Sequence, residues 1–159
     1  MEEVHYCSDP ALVRAFPGAA AGLAKLRRSG RLIVIVTNQS GIASGKIPLS
    51  QYRAVGAELL RQLDGLVDAV YYCADSASAP GPRRKPGTGM IEEAVRDLGI
   101  DLSKSWMVGD KDADIACGHA AGCRTILVRT GYGCGHLASN PDHVTEGVAD
   151  AVDLILSHG

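Results

Sequence analysis

Apolar positions along the chain fall into two alternating rhythms. Short, near-continuous apolar runs of strand length are separated by stretches with helical spacing, the signature of a parallel α/β sheet. The clearest run is "RLIVIVT" at 31–37, rich in β-branched residues, which predicts a strand buried on both faces. "LVDAVYY" at 66–72, "SWMVG" at 105–109 and part of "CRTILVRTG" at 123–131 predict three more. Between them the period changes. Residues 17–29, with Pro17 in the first turn and Gly30 as a stop, place Ala19, Ala20, Leu23 and Leu26 on one helical face. Ser50 is positioned to cap a helix carrying Tyr52, Val55, Leu59, Leu60 and Leu63. Residues 88–98 predict a short helix with Met90, Ile91, Ala94 and Leu98 inward, and 112–121 and 147–157 predict two more. "ADSASAPGPRR" at 74–84 reads as a loop. There is no repeat at a fixed period and no linker long enough to divide the chain. The expected organisation is one domain over residues 1–159.

Composition narrows the class. The 159 residues are 46% hydrophobic and 21% charged with a net charge of −2, which suits a globular protein. It speaks against a nucleic-acid or anionic-membrane binder, which would need a basic face. Five cysteines (Cys7, Cys73, Cys117, Cys123, Cys134) are scattered without a CxxC pair, as expected of free thiols in a reducing compartment. No apolar run reaches membrane-spanning length and "MEEVHYCSDP" lacks a signal-peptide core, so the cytoplasm is the expected location.

In a parallel sheet, ligands collect at the carboxyl ends of the strands. The run at 31–37 delivers Thr37-Asn38-Gln39-Ser40-Gly41, a set of hydroxyls and amides able to hydrogen-bond an oxyanion, though an ordinary polar turn has the same composition. The loop before residue 88 delivers Arg83-Arg84-Lys85-Pro86-Gly87. Arg84 offers a planar fork and Lys85 a point charge, the alternative being a solvated basic loop. The third turn is "VGDKDADIACGHAAG", 108–122. Asp110, Lys111, Asp112 and Asp114 crowd it, and like charges this close need neutralising; an oxygen-rich turn suits Mg²⁺. Asp110 and Asp114 are one helical turn apart. The plainer alternative has Asp110 or Asp112 capping the helix, which accounts for one aspartate and not for three with a lysine. A hydroxyl donor, a cation and a metal-binding carboxylate together suit phosphoryl transfer. The five histidines show no metal spacing, and Trp106 reads as core or strand edge. "RTGYGCGH" at 129–136 lacks a P-loop ending and reads as a post-strand turn flanking the site.

"VTNQSGI", "RRKPGTGM" and "MVGDKDADI" resemble, in order and spacing, the second, third and fourth motifs of the haloacid dehalogenase (HAD) superfamily of phosphatases. "TNQSGIASGK" with "RKPGTGM" is similar to the small branch containing heptose 1,7-bisphosphate phosphatases and the histidinol-phosphatase domain. The resemblance implies a three-layer Rossmann-like core with a parallel sheet and no large cap domain. It implies Mg²⁺-dependent hydrolysis of a sugar phosphate through an aspartyl-phosphate. Thr37 would stabilise the transferred phosphoryl group, with Asn38, Gln39 and Ser40 lining the substrate. Lys85 would neutralise phosphate charge, Arg84 would recognise substrate and Lys111 would lie near it. Asp110 would bind Mg²⁺, with Asp114 behind it holding Lys85 or a metal-bound water. Glu3 and Tyr6 would touch substrate.

Two departures bear on these expectations. The family's first motif, a strand ending in DxDGT, supplies the nucleophilic and the acid/base aspartates, and no such motif precedes Thr37. "EEVHY" resembles the stretch that comes after that motif in the family, so the first and central strand of the sheet is expected to be missing. Without its nucleophile the chain is expected to be inactive. A truncated or misassigned start, a pseudophosphatase that binds phosphorylated ligands without turnover, and a strand supplied by a separate chain all remain open. A receiver-type signalling domain fits less well, since it needs an early acidic pair. Secondly, Cys73 is followed by Ala74-Asp75 with no further cysteine before Lys85. One thiol does not make the branch's zinc loop, so no zinc is expected.

Overall fold

A computed structural model describes residues 7–135 and 139–158. The chain divides into two compact units, Met1–Pro80 and Gly81–Gly159. The architecture is α/β with parallel sheets, as the alternating pattern predicts.

In the first unit, α1 (Ala19–Arg28), β1 (Val34–Asn38), α2 (Ser40–Ala43), α3 (Leu49–Gln62) and β2 (Ala69–Cys73) follow in order. β1 and β2 pair in parallel from Val34 opposite Ala69 to Asn38 opposite Cys73. Asp68 sets this register. Its Oδ2 accepts the Ile33 N–H at 2.7 Å, its own N–H donates to the Ile33 carbonyl at 2.8 Å, and its other oxygen pairs with Arg27. Gln62, at the end of α3, accepts from the Ala15 N–H and donates to the Val13 carbonyl, fastening the leading segment to that helix.

Several expectations shift here: the strand expected at 66–72 runs Ala69–Cys73 and the helix expected at 17–29 runs Ala19–Arg28. The strand expected at 31–37 starts at Val34. All five of its residues are half-buried rather than buried on both faces, because β1 pairs with β2 alone among the described strands. The helix expected from Ser50 starts at Leu49 behind Pro48, so Ser50 lies inside the first turn and does not cap it.

The second unit contains α4 (Gly89–Leu98), β3 (Trp106–Gly109), α5 (Asp112–Ala121), β4 (Arg124–Val128), β5 (His143–Thr145) and α6 (Val148–Ser157). Its strands are parallel in the order β3-β4-β5. Met90 of α4, Ile115 and Cys117 of α5, Ile126 and Leu127 of β4 and Val152 of α6 are buried. Gly118 explains how closely α5 lies on the sheet: a Cβ there would sit 2.6 Å from Met107 Cβ and 2.7 Å from Thr125 Cγ2.

The three-residue β5 is too short to leave an apolar pattern. Side chains locate it: Asp142 Oδ2 accepts the Thr125 N–H at 2.7 Å and its hydroxyl at 2.8 Å. At the amino ends of these strands, Trp106 is half-buried, with the Arg124 guanidinium 4.3 Å from its ring centroid and the His143 and His158 rings each 5.6 Å away. Among the described residues no helix is long and apolar enough to cross a membrane.

Candidate active site

Thr37 and Asn38 end β1 and Asp110 follows β3 directly, each at the carboxyl end of a parallel strand, while Lys85 lies in the loop before α4. In the first unit, β1 ends in Thr37 and Asn38, and Gln39 carries the chain into α2, which Ser40 opens. The Gln39 N–H donates to the Cys73 carbonyl at 2.7 Å, extending the strand pairing by one bond. Its side-chain Nε2 donates to Thr37 Oγ1 at 2.9 Å. A hydroxyl that accepts from an amide retains its own proton for a second partner. Thr37, Asn38, Gln39 and Ser40 are half-buried. Cys73 is buried at the end of β2, 1% exposed.

The second unit gathers Lys85, Asp110, Lys111 and Asp114 around one carboxylate. Asp114 Oδ1 lies 2.6 Å from Lys85 Nζ, with the two side chains only 8% and 12% exposed. Asp114 Oδ2 accepts the backbone N–H groups of Asp110 and Lys111, both at 3.1 Å. Asp114 thus holds the cation, satisfies the N–H at the start of α5 and fixes the path of the chain leaving β3. The capping carboxylate is therefore Asp114, not Asp110 or Asp112, because only the third residue of the helix reaches back to its first orphan donors. Gly109 makes this possible, since a Cβ there would overlap the Asp114 side chain.

Asp110 follows β3 directly. Its Oδ2 accepts the Tyr132 N–H at 3.1 Å from the turn after β4. Gly131 packs against it at φ +65°, where a Cβ would overlap that same oxygen. Lys111 is exposed, and its Nζ stands 4.0 Å from the centroid of the Tyr132 ring. Arg84 is half-buried, its N–H bonded to the Gly81 carbonyl at 3.1 Å. The neighbouring Arg83 pairs with Glu93 at 2.7 Å. The Lys85–Pro86 peptide is cis. Cys117 ties α5 to this loop, its Sγ donating to the Gly87 carbonyl at 3.3 Å; burial pushes its thiol up to about 11, so it stays protonated at neutral pH.

A hard divalent cation fits Asp110 in kind. One of its oxygens is held by Tyr132 and the other carries no hydrogen bond among the described residues. Mg²⁺ is commonly bound by one or two carboxylates completed by water and substrate phosphate. Among the described residues no group of three or more histidine, cysteine, aspartate or glutamate side chains that could hold a metal ion is assembled. Glu3 and Tyr6 lie outside the described residues. Tyr132 is the residue that the sequence pattern did not single out. Its only signal there was an aromatic within a glycine-rich turn at the carboxyl end of a parallel strand.

Residues 82–151 match the HAD-hydrolase-like family model. The chain is 37% identical to a D-glycero-D-manno-heptose-1,7-bisphosphate 7-phosphatase of Thermosynechococcus vestitus, over 99% of this chain and 90% of that protein. It is also 37% identical to the protein of the same name from Chlorobaculum tepidum, over 84% of this chain and 77% of that one. The structure superposes with a TM-score of 0.90 on a D,D-heptose 1,7-bisphosphate phosphatase from B. bronchiseptica complexed with magnesium and phosphate. That match covers 100% of this chain and 93% of that one at 29% identity. On this identity and coverage the chain belongs to the HAD-like phosphatases, in the branch of the heptose 1,7-bisphosphate phosphatases.

Proposed function

We propose that the protein carries the site of a Mg²⁺-dependent sugar-phosphate phosphatase of the heptose 1,7-bisphosphate type. The observation that carries this reading is the buried Lys85–Asp114 pair, whose carboxylate also fixes the backbone of Asp110 and Lys111. Phosphoryl transfer asks the protein mainly for positioning and charge neutralisation. A lysine held this way presents positive charge in a fixed place without leaving it unpaired.

Asp110 would hold the Mg²⁺, which supplies charge neutralisation at the phosphate when bound. Thr37 would donate its remaining hydroxyl proton to a phosphoryl oxygen, Gln39 fixing its rotamer. Asn38, Gln39 and Ser40 would line the substrate, Arg84 would recognise it through its fork, and Lys111 would meet a phosphate oxygen.

The 159 residues contain no DxDGT sequence, so the chain as given carries no aspartate in the nucleophile's place. In this reading it binds the phosphorylated sugar without turning it over. The family's single-domain organisation over 1–159, a cytoplasmic location and the absence of zinc belong to the same proposal.

Calorimetric titration with heptose 1,7-bisphosphate tests the binding. Binding should strengthen with added Mg²⁺ in the unchanged chain and lose that dependence in Asp110→Ala. Binding indifferent to Mg²⁺ in both would contradict the assignment of Asp110.

A further inference from the structure

The glycine-flanked turn after β4 has no part in the roles assigned above, yet it touches two of the residues that do. We infer that Tyr132 is a positioning residue. Its main-chain N–H orients the Asp110 carboxylate and its ring holds the Lys111 ammonium, so one residue aligns the group assigned to the metal with the group assigned to the phosphate. What Lys111 faces rests on the phosphatase reading; that Tyr132 holds it rests on geometry alone.

Three observations converge. The Tyr132 N–H reaches Asp110 Oδ2 at 3.1 Å. Lys111 Nζ lies 4.0 Å from the Tyr132 ring centroid, within the range where the ring's negative face attracts a cation. The turn is also held to this path by its glycines. A Cβ on Gly131 would overlap Asp110 Oδ2, and one on Gly133 would overlap the Val128 carbonyl oxygen.

Lys111 is thereby restrained at both ends: its N–H by Asp114 Oδ2 and its ammonium by the ring. An exposed lysine otherwise spreads over many rotamers, and ordering it on ligand binding weakens affinity. An ammonium seated on a ring face still directs N–H donors away from the ring toward an anion. Neither contact uses the Tyr132 hydroxyl, so phenylalanine should serve as well, while an aliphatic residue of similar bulk should not.

The test uses the 159-residue chain, with inorganic phosphate in the presence of Mg²⁺ as the probe. In NMR spectra the Lys111 ε-methylene protons should be shifted upfield by the ring in the unchanged chain and in Tyr132→Phe, and should return to ordinary lysine positions in Tyr132→Leu. Phosphate should bind about two- to fivefold more weakly to Tyr132→Leu and unchanged to Tyr132→Phe. In a Lys111→Met background, Tyr132→Leu should have no further effect. Should Tyr132→Leu not fold, Tyr132→Met carries the same comparison. Equal phosphate binding by Tyr132→Leu and the unchanged chain, or the same weakening in the Lys111→Met background, overturns the inference. Failure of the unchanged chain to bind phosphate at all, with the upfield shift present, overturns the phosphatase reading instead.

Discussion

At the scale of the residue, Asp114 has the most to lose by substitution. It is 6% exposed, pairs with Lys85 and accepts two backbone N–H groups. Replacing one partner of a buried ion pair leaves the other charge unpaired in a poorly solvated place. Asp114→Asn keeps the shape and an acceptor for the backbone, but strips the charge from beside Lys85. It should lower unfolding free energy by about 3 kcal/mol, read from the urea midpoint, whereas Asp112→Asn on the exposed side of the same turn should change it by less than about 0.5 kcal/mol. In the sequence, three carboxylates with a lysine exceed what one cap requires. The sequence did not show which of them did the capping, because that depends on which oxygen reaches back from the third helical position.

At the scale of the element, the link between β4 and β5 is expected to respond to pH. Asp142 accepts both the N–H and the hydroxyl of Thr125, with His119 close by at 3.5 Å, and these contacts hold its carboxyl below the usual carboxylate range. A carboxyl whose folded-state pKa is depressed adds stability above its unfolded pKa and loses it as pH falls through the folded value. The melting temperature should therefore fall as pH drops below about 4, and Asp142→Asn should flatten that acid limb. An unchanged acid limb in the variant would remove Asp142 from the explanation. Helices and longer strands were readable from periodicity: α5 spans 112–121 as the pattern predicts, and α4 and α6 begin one residue late. β5 was not readable, because three residues carry no period and its place is fixed by Asp142 gripping a buried threonine. Gly118 shows the same limit. In a sequence it weakens a helix, and only the packing of α5 on Met107 and Thr125 shows why a side chain is refused there.

At the scale of the whole molecule, the motifs outrun the strands. "VTNQSGI", "RRKPGTGM" and "MVGDKDADI" marked the family by themselves, because phosphate chemistry demands particular residue types at strand ends and in the loops between elements. They did not reveal Tyr132, whose part depends on two turns meeting beyond β3 and β4. β1 runs with all five residues half-buried and pairs with β2 alone among the described strands, although "RLIVIVT" is apolar enough for a strand covered on every side. In the reading proposed above, the chain holds the phosphate- and metal-binding part of a phosphatase site without its nucleophile. The decisive assay is phosphate release from heptose 1,7-bisphosphate with Mg²⁺, comparing the purified chain with the same chain extended by an N-terminal strand ending in Asp-x-Asp-Gly-Thr. The chain as given should show no release above background and the extended one should turn over. Turnover by the unextended chain, abolished in Asp110→Ala, would mean that the nucleophile is not missing after all.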